Sequence, residues 1–322
     1  MDKGKLRVGV IGVGHLGEYH LQKYKSISKA DLIGIVDTNP ERLAEIGRRY
    51  NVRTFSNHHE LLNEVDAVSL AVPTTEHFNV AKEILSRGIH LLVEKPITYK
   101  LEPADTLLGL AREKNLILQV GLVERFNPAI VEMKRLISQP VFIESHRLNK
   151  FTTRGTDVDV VLDLMIHDLD IILDIAQSEI KEMHSIGMSV VTGKTDIANV
   201  RIIFESGLVS NLTVSRVSAK TLRKIRVFQP DIYMDANCLK RELSIIRLDN
   251  GISDLEILSR IEPEVEKFPG RDPLADEIAS FVTSVTDGSQ PVVTGRDGRR
   301  ALKVTLDIIE QIKKGPNCFK KV

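Results

Sequence analysis

Short apolar runs alternate with helical patterns between Leu6 and about Gly121, and this alternation restricts the fold more than any other feature of the sequence. The strand-like runs are LRVGVI, ADLIGIVD, VRTF, DAVSLAV, IHLLVE and LILQV. The helical patterns begin at about His15 and Pro40, and cover about Glu76 to Arg87 and Pro103 to Lys114. Strands that alternate with helices predict a doubly wound parallel sheet of the α/β class. The runs are almost entirely apolar, as strands buried on both faces require.

The pattern changes after Gly121. A long helical pattern, from about Thr156 to Ala176, precedes a strand-rich stretch from about Glu179 to Ser259. Within that stretch, NVRIIFESGLVSNLTVSRV predicts two strands joined by a turn at Glu205 to Gly207, which indicates an antiparallel sheet. The chain closes with two further helical patterns, Pro273 to Val285 and Arg296 to Lys313. A chain of 322 residues is long enough for two domains, and the change of pattern predicts their boundary near Gly121.

The composition narrows the classes of partner. The chain has 44 Lys and Arg against 44 Asp and Glu, so it lacks the positive field that a nucleic acid or an anionic membrane would need. No segment approaches the roughly 18 apolar residues of a membrane span, and MDKGKLRVGVIG lacks the long apolar run of a signal peptide. Cys238 and Cys318 are too few for a disulfide framework, so we expect inert cysteines and a cytoplasmic protein.

A glycine-rich motif follows the first predicted strand. Gly12, Gly14 and Gly17 form GVGHLG and open the first helix, where a tight turn and the helix N-terminus together can receive a pyrophosphate. Asp37 ends the second strand, where a carboxylate can accept both ribose hydroxyls of an adenosine and would repel a 2′-phosphate. The motif therefore predicts NAD as the cofactor rather than NADP, with Arg42 as the residue that could reverse the preference. Alternatively, the glycines only permit a turn and Asp37 caps the helix that starts at Pro40.

The tripeptide of Glu94, Lys95 and Pro96 follows the predicted strand IHLLVE. In open α/β sheets, ligands bind at the carboxyl ends of the strands. When an alcohol is oxidised, an ammonium group beside its oxygen stabilises the growing alkoxide, and Lys95 is placed to supply that group. The alternative is a surface Lys–Glu pair at a turn.

A second polar cluster lies in DVDVVLDLMIHDLDIIL, where Asp163 and His167 are four residues apart and share one face of the predicted helix. A carboxylate one turn from an imidazole can orient it and raise its basicity, which suits a general base. The alternative is a satisfied histidine on a helix that partly faces solvent. A metal-dependent phosphohydrolase would need several more histidines at ligand spacing, and the other eight show no such arrangement, so we expect no metal.

Together, GVGHLG at 12–17, Asp37, AVPTTEH at 71–77, EKP at 94–96 and DLMIHDLD at 163–170 resemble the Gfo/Idh/MocA oxidoreductase family along nearly the whole chain. The resemblance implies a Rossmann domain, residues 1–121, and an α+β substrate-binding and oligomerisation domain with a large, open, mostly antiparallel sheet, residues 122–322. It implies an NAD(P)-dependent dehydrogenase that acts on the hydroxyl of a sugar or polyol. Lys95 matches the family's catalytic lysine, and Asp163 and His167 match its substrate-binding acid and proton-transfer histidine. The implied cofactor-binding residues are Gly12, Gly14, His15, Leu16, Gly17, Asp37, Thr74, His77 and Glu94.

The segment GLVERFNPA at 121–129 further resembles the branch of this family that oxidises the 3-hydroxyl of UDP-N-acetylglucosamine in a lipid A pathway. A nucleotide sugar carries a diphosphate, for which we expect Arg125, Asn127 and Arg154 as substrate contacts. Lys150 and a basic run from Arg216 to Arg226 are further candidates, although such a run is also typical of a solvated or edge strand. The alternatives are a free-sugar or inositol dehydrogenase and a non-catalytic dinucleotide sensor. An open sheet with an exposed apolar face also predicts a homo-oligomer.

Overall fold

The computed structural model describes residues 4–153, 158–247 and 262–315. The chain forms two compact units. The first unit comprises Met1–Val123 and Asp272–Leu302, and the second comprises Glu124–Arg271 and Lys303–Val322. The predicted boundary after residue 121 lies close to Val123, where the first segment of the first unit ends. Residues 272–302, which the prediction placed in the second domain, belong to the first unit.

A parallel five-stranded sheet with helices forms the first unit, in the strand order β2-β1-β3-β4-β5. Its strands are β1 (Leu6–Ile11), β2 (Ala30–Val36), β3 (Ala67–Leu70), β4 (His90–Glu94) and β5 (Leu118–Gly121). Its helices are α1 (His15–Ser26), α2 (Pro40–Tyr50), α3 (His58–Leu62), α4 (Thr74–Ser86), α5 (Leu101–Glu113) and α8 (Pro273–Asp287). The predicted strand VRTF is wrong, because only a single bridge, between Ile35 and Thr54, joins this segment to the sheet.

The core of the first unit explains why a distant segment of the chain belongs to it. Val8, Val10 and Leu92 from the sheet pack in one buried cluster with Ile278 and Phe281 of α8. Burying aliphatic and aromatic side chains of this size contributes about 1.5–3 kcal/mol each. Sequence alone gives no sign of this, because the apolar stripe of α8 fits either core equally well.

The second unit contains a mostly antiparallel eight-stranded sheet, in the order β13-β12-β11-β10-β6-β9-β8-β7, in which only β6 and β9 pair in parallel. Its strands are β6 (Phe142–Leu148), β7 (Ile180–Met188), β8 (Ile197–Phe204), β9 (Val209–Ser215), β10 (Leu222–Gln229), β11 (Ile232–Asn237), β12 (Glu242–Arg247) and β13 (Glu264–Lys267). Helices α6 (Pro128–Leu136) and α7 (Ile166–Ala176) belong to this unit, whereas α9 (Gly295–Lys314) crosses from the first unit into it. The predicted fold class is confirmed.

The structure of the second unit confirms one predicted hairpin and contains a strand that was not predicted. The β8–β9 hairpin is confirmed, and Gly207 at its turn has φ +88°, a conformation that favours glycine. The predicted start of the next helix, Thr156, lies outside the described residues, and a π-helical turn at Val161–Met165 leads directly into α7. β6 was not predicted, because its charged residues obscure the alternation of FIESHRL.

The basic run from Arg216 to Arg226 lies partly on β10, between β11 and β6. It is therefore not an edge strand, and its charges have partners: Lys224 pairs with Asp235 at 2.6 Å and Arg226 with Glu144 at 3.3 Å. The helices among the described residues are all too short or too polar to cross a membrane.

Candidate functional site

The glycine-rich turn joins β1 to α1, and packing requires two of its glycines. Gly12 has φ +84°, and a Cβ there would lie 2.7 Å from the carbonyl oxygen of Ala71. A Cβ on Gly17 would overlap the carbonyl oxygen of Gly12. These two positions set the tight turn and the close approach of the helix to the strand.

The middle of the turn is different, because nothing in the protein's own packing demands a glycine there. A Cβ on Gly14 would meet open space, and Gly14, His15 and Leu16 are exposed. No described side chain caps the N-terminus of α1 at Gly14, so the first backbone N–H groups of that helix are available to a ligand. An exposed helix N-terminus beside a glycine with open space above it fits the pyrophosphate of a dinucleotide.

Asp37 directly follows β2 and faces the glycine-rich turn. Its carboxylate accepts hydrogen bonds from the backbone N–H of Val13 at 2.7 Å and of Asn39 at 2.8 Å. The N-cap of α2 is Asn39, not Asp37, since the Asn39 side chain accepts from the N–H groups of Glu41 and Arg42. A carboxylate has about four acceptor positions, so Asp37 retains capacity for ribose hydroxyls.

Arg42, the residue that could favour a 2′-phosphate, is already engaged. Its Nε donates to the carbonyl oxygen of Val13 at 3.0 Å, and its two terminal nitrogens contact the carboxylates of Glu18 and Glu45. This leaves the guanidinium with little capacity for a phosphate, whose recognition uses the same donors.

Glu94 ends β4 and is buried below Lys95. Its carboxylate lies 2.9 Å from Nε2 of His20 and 3.3 Å from the backbone nitrogen of Lys95. Burial raises the pKa of Glu94, but the His20 hydrogen bond and the charges of His20 and Lys95 outweigh it, so the net pKa lies below the usual range. Glu94 is therefore ionised at neutral pH, and it fixes the backbone at which the half-buried Lys95 leaves the strand.

The His77 side chain contacts two loops at this edge of the sheet. Its Nδ1 lies 2.9 Å from the carbonyl oxygen of Pro96 and its Nε2 lies 2.9 Å from that of Val72. Burial lowers the pKa of His77, although these carbonyl groups oppose the shift, so the ring is neutral and donates to one of the two oxygens. His77 therefore positions the loop after Lys95, while Thr74 begins α4 beside it.

A buried cluster that the sequence does not predict lies beneath this edge. His20, Glu94 and Glu277 come from α1, β4 and α8, and their ligand-capable atoms lie within 4.8 Å of one another. Neither the spacing of the histidines nor the position of Glu277 in the sequence indicates this contact, because three separate elements bring the groups together. The cluster anchors α1, which carries the glycine-rich turn, to the strand that ends at Glu94.

In the second unit, the two predicted catalytic residues occupy the start of one helix. Asp163 lies in the π-helical turn and His167 in the first turn of α7, and both are half-buried. In either helical geometry, residues four apart lie on approximately the same face. Single π-helical turns of this kind occur frequently at functional sites.

Arg125 and Asn127, the two predicted diphosphate contacts among the described residues, are buried and have partners inside the second unit. Arg125 is buried and pairs with both oxygens of Asp170, at 2.8 and 2.9 Å, and with Asp174 at 2.9 Å. The Asn127 amide donates to Glu124 and to the carbonyl oxygen of Cys238, and its oxygen accepts from the N–H of Ala129. Removing Arg125 alone would leave the carboxylates of Asp170 and Asp174 without this counter-charge, so the geometry favours a structural role for it. Arg154 lies outside the described residues.

A second buried network, also missed from the sequence, holds α7 against β6. Arg147 of β6 donates to Asp168 at 2.7 Å and to Glu124 at 2.9 Å. Burial lowers the pKa of Arg147, but the charges of Asp168 and Glu124 raise it by more than burial lowers it, so the net pKa lies above its usual value. Burial likewise raises the pKa of Glu124 and Arg147 lowers it below the usual range. The network fixes the helix that carries His167.

Two family models match the chain. The model of an oxidoreductase family with an NAD-binding Rossmann fold matches residues 6–122, and the model of the GFO/IDH/MocA C-terminal domain matches residues 131–229. Together the two matches cover well over half of the chain.

Individual proteins are similar over almost the full length. UDP-N-acetylglucosamine 3-dehydrogenase of Acidithiobacillus ferrooxidans is 38% identical over 304 residues, which cover 94% of this chain and 96% of the relative. A solved structure of that enzyme superposes with a TM-score of 0.89 and 37% identity, covering 97% of this chain and 99% of that chain. Myo-inositol 2-dehydrogenase of Thermotoga maritima is 26% identical over 317 residues, covering 92% of this chain and 93% of the relative.

Proposed function

Because the chain belongs to the Gfo/Idh/MocA family of oxidoreductases, we propose that it is an NAD-dependent dehydrogenase that oxidises C3 of UDP-N-acetylglucosamine. One observation of the structure carries the proposal of a cofactor beside a catalytic lysine. Gly12, Asp37 and Lys95 all follow carboxyl ends of strands in one parallel sheet, so they share one edge of it. That edge is where open α/β sheets bind their ligands.

The proposed roles follow from what each side chain can do. Bound NAD would supply the acceptor for the hydride that leaves the substrate carbon. The Lys95 ammonium stabilises the negative charge that grows on the hydroxyl oxygen, and His167 accepts the hydroxyl proton. Asp163 orients His167 and the substrate. The C–H bond and the O–H bond both break, the carbon–oxygen bond becomes a carbonyl, and His167 carries the proton away.

The preference for NAD over NADP is part of the proposal. The negative charge of Asp37 would repel the 2′-phosphate of NADP. The contacts of Arg42 with Glu18 and Glu45 reduce the capacity of Arg42 to bind that phosphate. The glycine-rich turn, with His15 and Leu16 at the start of α1, would hold the pyrophosphate. Thr74 and Glu94 border the same edge of the sheet, with His77 supporting the loop.

The nucleotide-sugar substrate is the finer part of the proposal. It rests on the similarity to UDP-N-acetylglucosamine 3-dehydrogenase, at 38% identity, against 26% for the inositol enzyme. Because Arg125 and Asn127 are committed to buried contacts, Arg154 is the residue that we propose for the diphosphate. Phosphate anchoring acts on ground and transition states alike, so Arg154→Ala should raise KM more than it lowers kcat. We also propose a cytoplasmic homo-oligomer.

A substrate screen tests the proposed function. The purified protein is incubated with NAD and, separately, with UDP-N-acetylglucosamine, other UDP-sugars, N-acetylglucosamine, glucose and myo-inositol, and NADH absorbance is recorded. The proposal predicts the highest kcat/KM with UDP-N-acetylglucosamine. Activity with only free sugars or inositol would replace the substrate and keep the dehydrogenase, whereas NAD binding without turnover on any of them would favour a dinucleotide sensor.

A further inference from the structure

A cavity of about 830 Å³ lies in the first unit, at the opposite end of the sheet strands from the proposed catalytic edge. It is lined by His90, which begins β4, and by Leu118, which begins β5. The proposed cofactor and catalytic residues instead follow carboxyl ends, and the five residues of β4 place about 13 Å between its two ends. We call this the amino-end cavity. Its size lies within the roughly 300–1,000 Å³ that small-molecule sites occupy.

Close packing builds the wall between α5, β5 and α9. A Cβ on Gly295 would lie 2.8 Å from the side chain of Leu108 of α5 and 2.9 Å from that of Leu118 of β5, so a larger residue would displace these leucines. Arg299 of α9 then pairs with Asp105 of α5 at 2.7 and 3.0 Å. These contacts fix both sides of the cavity relative to the sheet.

Two arginines at the cavity differ from Arg299. Arg112 and Arg296 both line it and are exposed, and neither guanidinium has a hydrogen bond or ion pair to any described residue. Arg112 lies in the last turn of α5, where a cation suits the helix dipole. Arg296 lies in the first turn of α9, where the helix dipole disfavours a cation. The neighbouring Asp297 carboxylate accepts hydrogen bonds from the hydroxyl group of Thr294 at 2.7 Å and from its backbone N–H at 2.8 Å.

His90 adds a defined hydrogen-bond donor. Burial lowers the pKa of His90, so its ring is neutral at neutral pH. Its Nδ1 accepts the backbone N–H of Ile117 at 2.9 Å, which leaves the proton on Nε2. Asn115 and Gln290 add amide groups, and Leu116 and Val285 add apolar surface.

We propose that the amino-end cavity binds a phosphorylated small molecule, with Arg112 and Arg296 contacting the phosphate and the leucines contacting an apolar or ring portion. Guanidinium groups match the planar, paired oxygens of phosphate. The mixed lining of amide and aliphatic groups suits the remainder of such a ligand. This site is separate from the proposed catalytic edge and carries a ligand that the dehydrogenase reaction does not require.

Calorimetry with 1-naphthyl phosphate tests the proposal on the full chain, with saturating NAD present to occupy the dinucleotide site. Arg112→Gln and Arg296→Gln should each weaken binding about tenfold, since a hydrogen bond to a charged group contributes at least that much. The matched control is Arg48→Gln, because Arg48 is also exposed and, among the described residues, its side chain donates only to the carbonyl oxygen of Ala44. That variant should bind the probe as the unmodified protein does.

The uncharged analogue 1-naphthalenemethanol should bind much more weakly than 1-naphthyl phosphate. Increasing the salt concentration should weaken the binding of 1-naphthyl phosphate but not that of the analogue. Thermal unfolding verifies that all variants remain folded, as expected for exposed side chains. Unchanged affinity in the Arg112→Gln/Arg296→Gln double variant would overturn the proposal, and so would the absence of binding at millimolar probe.

Discussion

Asp37 is the residue on which the cofactor preference depends. Its carboxylate holds the N–H of Val13 in the glycine-rich turn, so removing the whole side chain would also disturb that turn. Asp37→Asn removes the charge and keeps one acceptor oxygen, which can hold one of the two backbone N–H groups, of Val13 and Asn39, that the carboxylate holds. We expect NAD to bind on the order of tenfold more weakly to this variant and NADP to bind more tightly, because the repulsion of the 2′-phosphate is lost.

Calorimetry with both dinucleotides measures this change. Asp31→Asn is a suitable control, since Asp31 is exposed and lies on β2, the strand that Asp37 follows. Its affinities for both dinucleotides should match those of the unmodified protein. Tighter binding of NADP than of NAD to the unmodified protein would refute the assigned preference.

Lys95 and His167 are the residues to which we assign the chemistry. Lys95→Ala and His167→Ala should each lower kcat by about 10²- to 10⁴-fold, the range typical of a lost proton-transfer or charge-stabilising group. NAD affinity should stay within a few-fold in both. Lys100→Ala is the matched control for Lys95, because Lys100 is an exposed lysine of the same loop. Near-normal turnover in either alanine variant, measured with the true substrate, would show that the role is assigned to the wrong residue.

At the scale of secondary-structure elements, the buried network around Arg147 stabilises the helix that carries His167. Arg147→Met would leave the buried Asp168 without its counter-charge, which typically costs about 3–5 kcal/mol. Arg135→Met is the control, since Arg135 is exposed and its pair with Glu132 should change stability by at most about 1 kcal/mol. Urea unfolding should therefore separate the two variants clearly. Equal stability of the two variants would mean that the network does not anchor α7.

The elements also show which predictions a single sequence supports. The parallel strands were predictable, because each is an apolar run bounded by turn residues, and so was the β8–β9 hairpin with Gly207 at its turn. The segment VRTF has strand-forming residues but makes one bridge, since propensity does not determine pairing. The π-helical turn before α7 has no signature in hydrophobic periodicity. β6 was missed because the polar residues Ser145 and Arg147 occupy two of its three buried positions.

The candidate site also has a part that local sequence motifs predict and a part that they do not. Glycines and Asp37 follow one local motif, so their arrangement could be expected from spacing alone. The contacts of Arg125 with Asp170 and of His20 with Glu94 join residues 45 and 74 positions apart, and no local pattern encodes them. As a result, the sequence suggested a substrate contact at Arg125 where the structure has an internal ion pair.

At the scale of the whole molecule, the exposed face of the large sheet bears on assembly. This face is not uniformly apolar: Arg226 pairs with Glu144 next to an aromatic cluster of Phe142, Phe228 and Tyr233. A self-complementary mixture of charged and aromatic groups suits an isologous interface. We therefore predict a homo-oligomer, and light scattering should give a mass that is a multiple of 36.0 kDa. A monomer at all micromolar concentrations would contradict this.

The central claim is hydride transfer from C3 of UDP-N-acetylglucosamine to NAD. It is tested most directly with substrate that carries deuterium at C3, by mass spectrometry of both products. The account predicts that the reduced dinucleotide gains one deuterium and that the sugar loses it as C3 becomes a carbonyl. Reduced dinucleotide without deuterium, or none formed at all, would contradict the account.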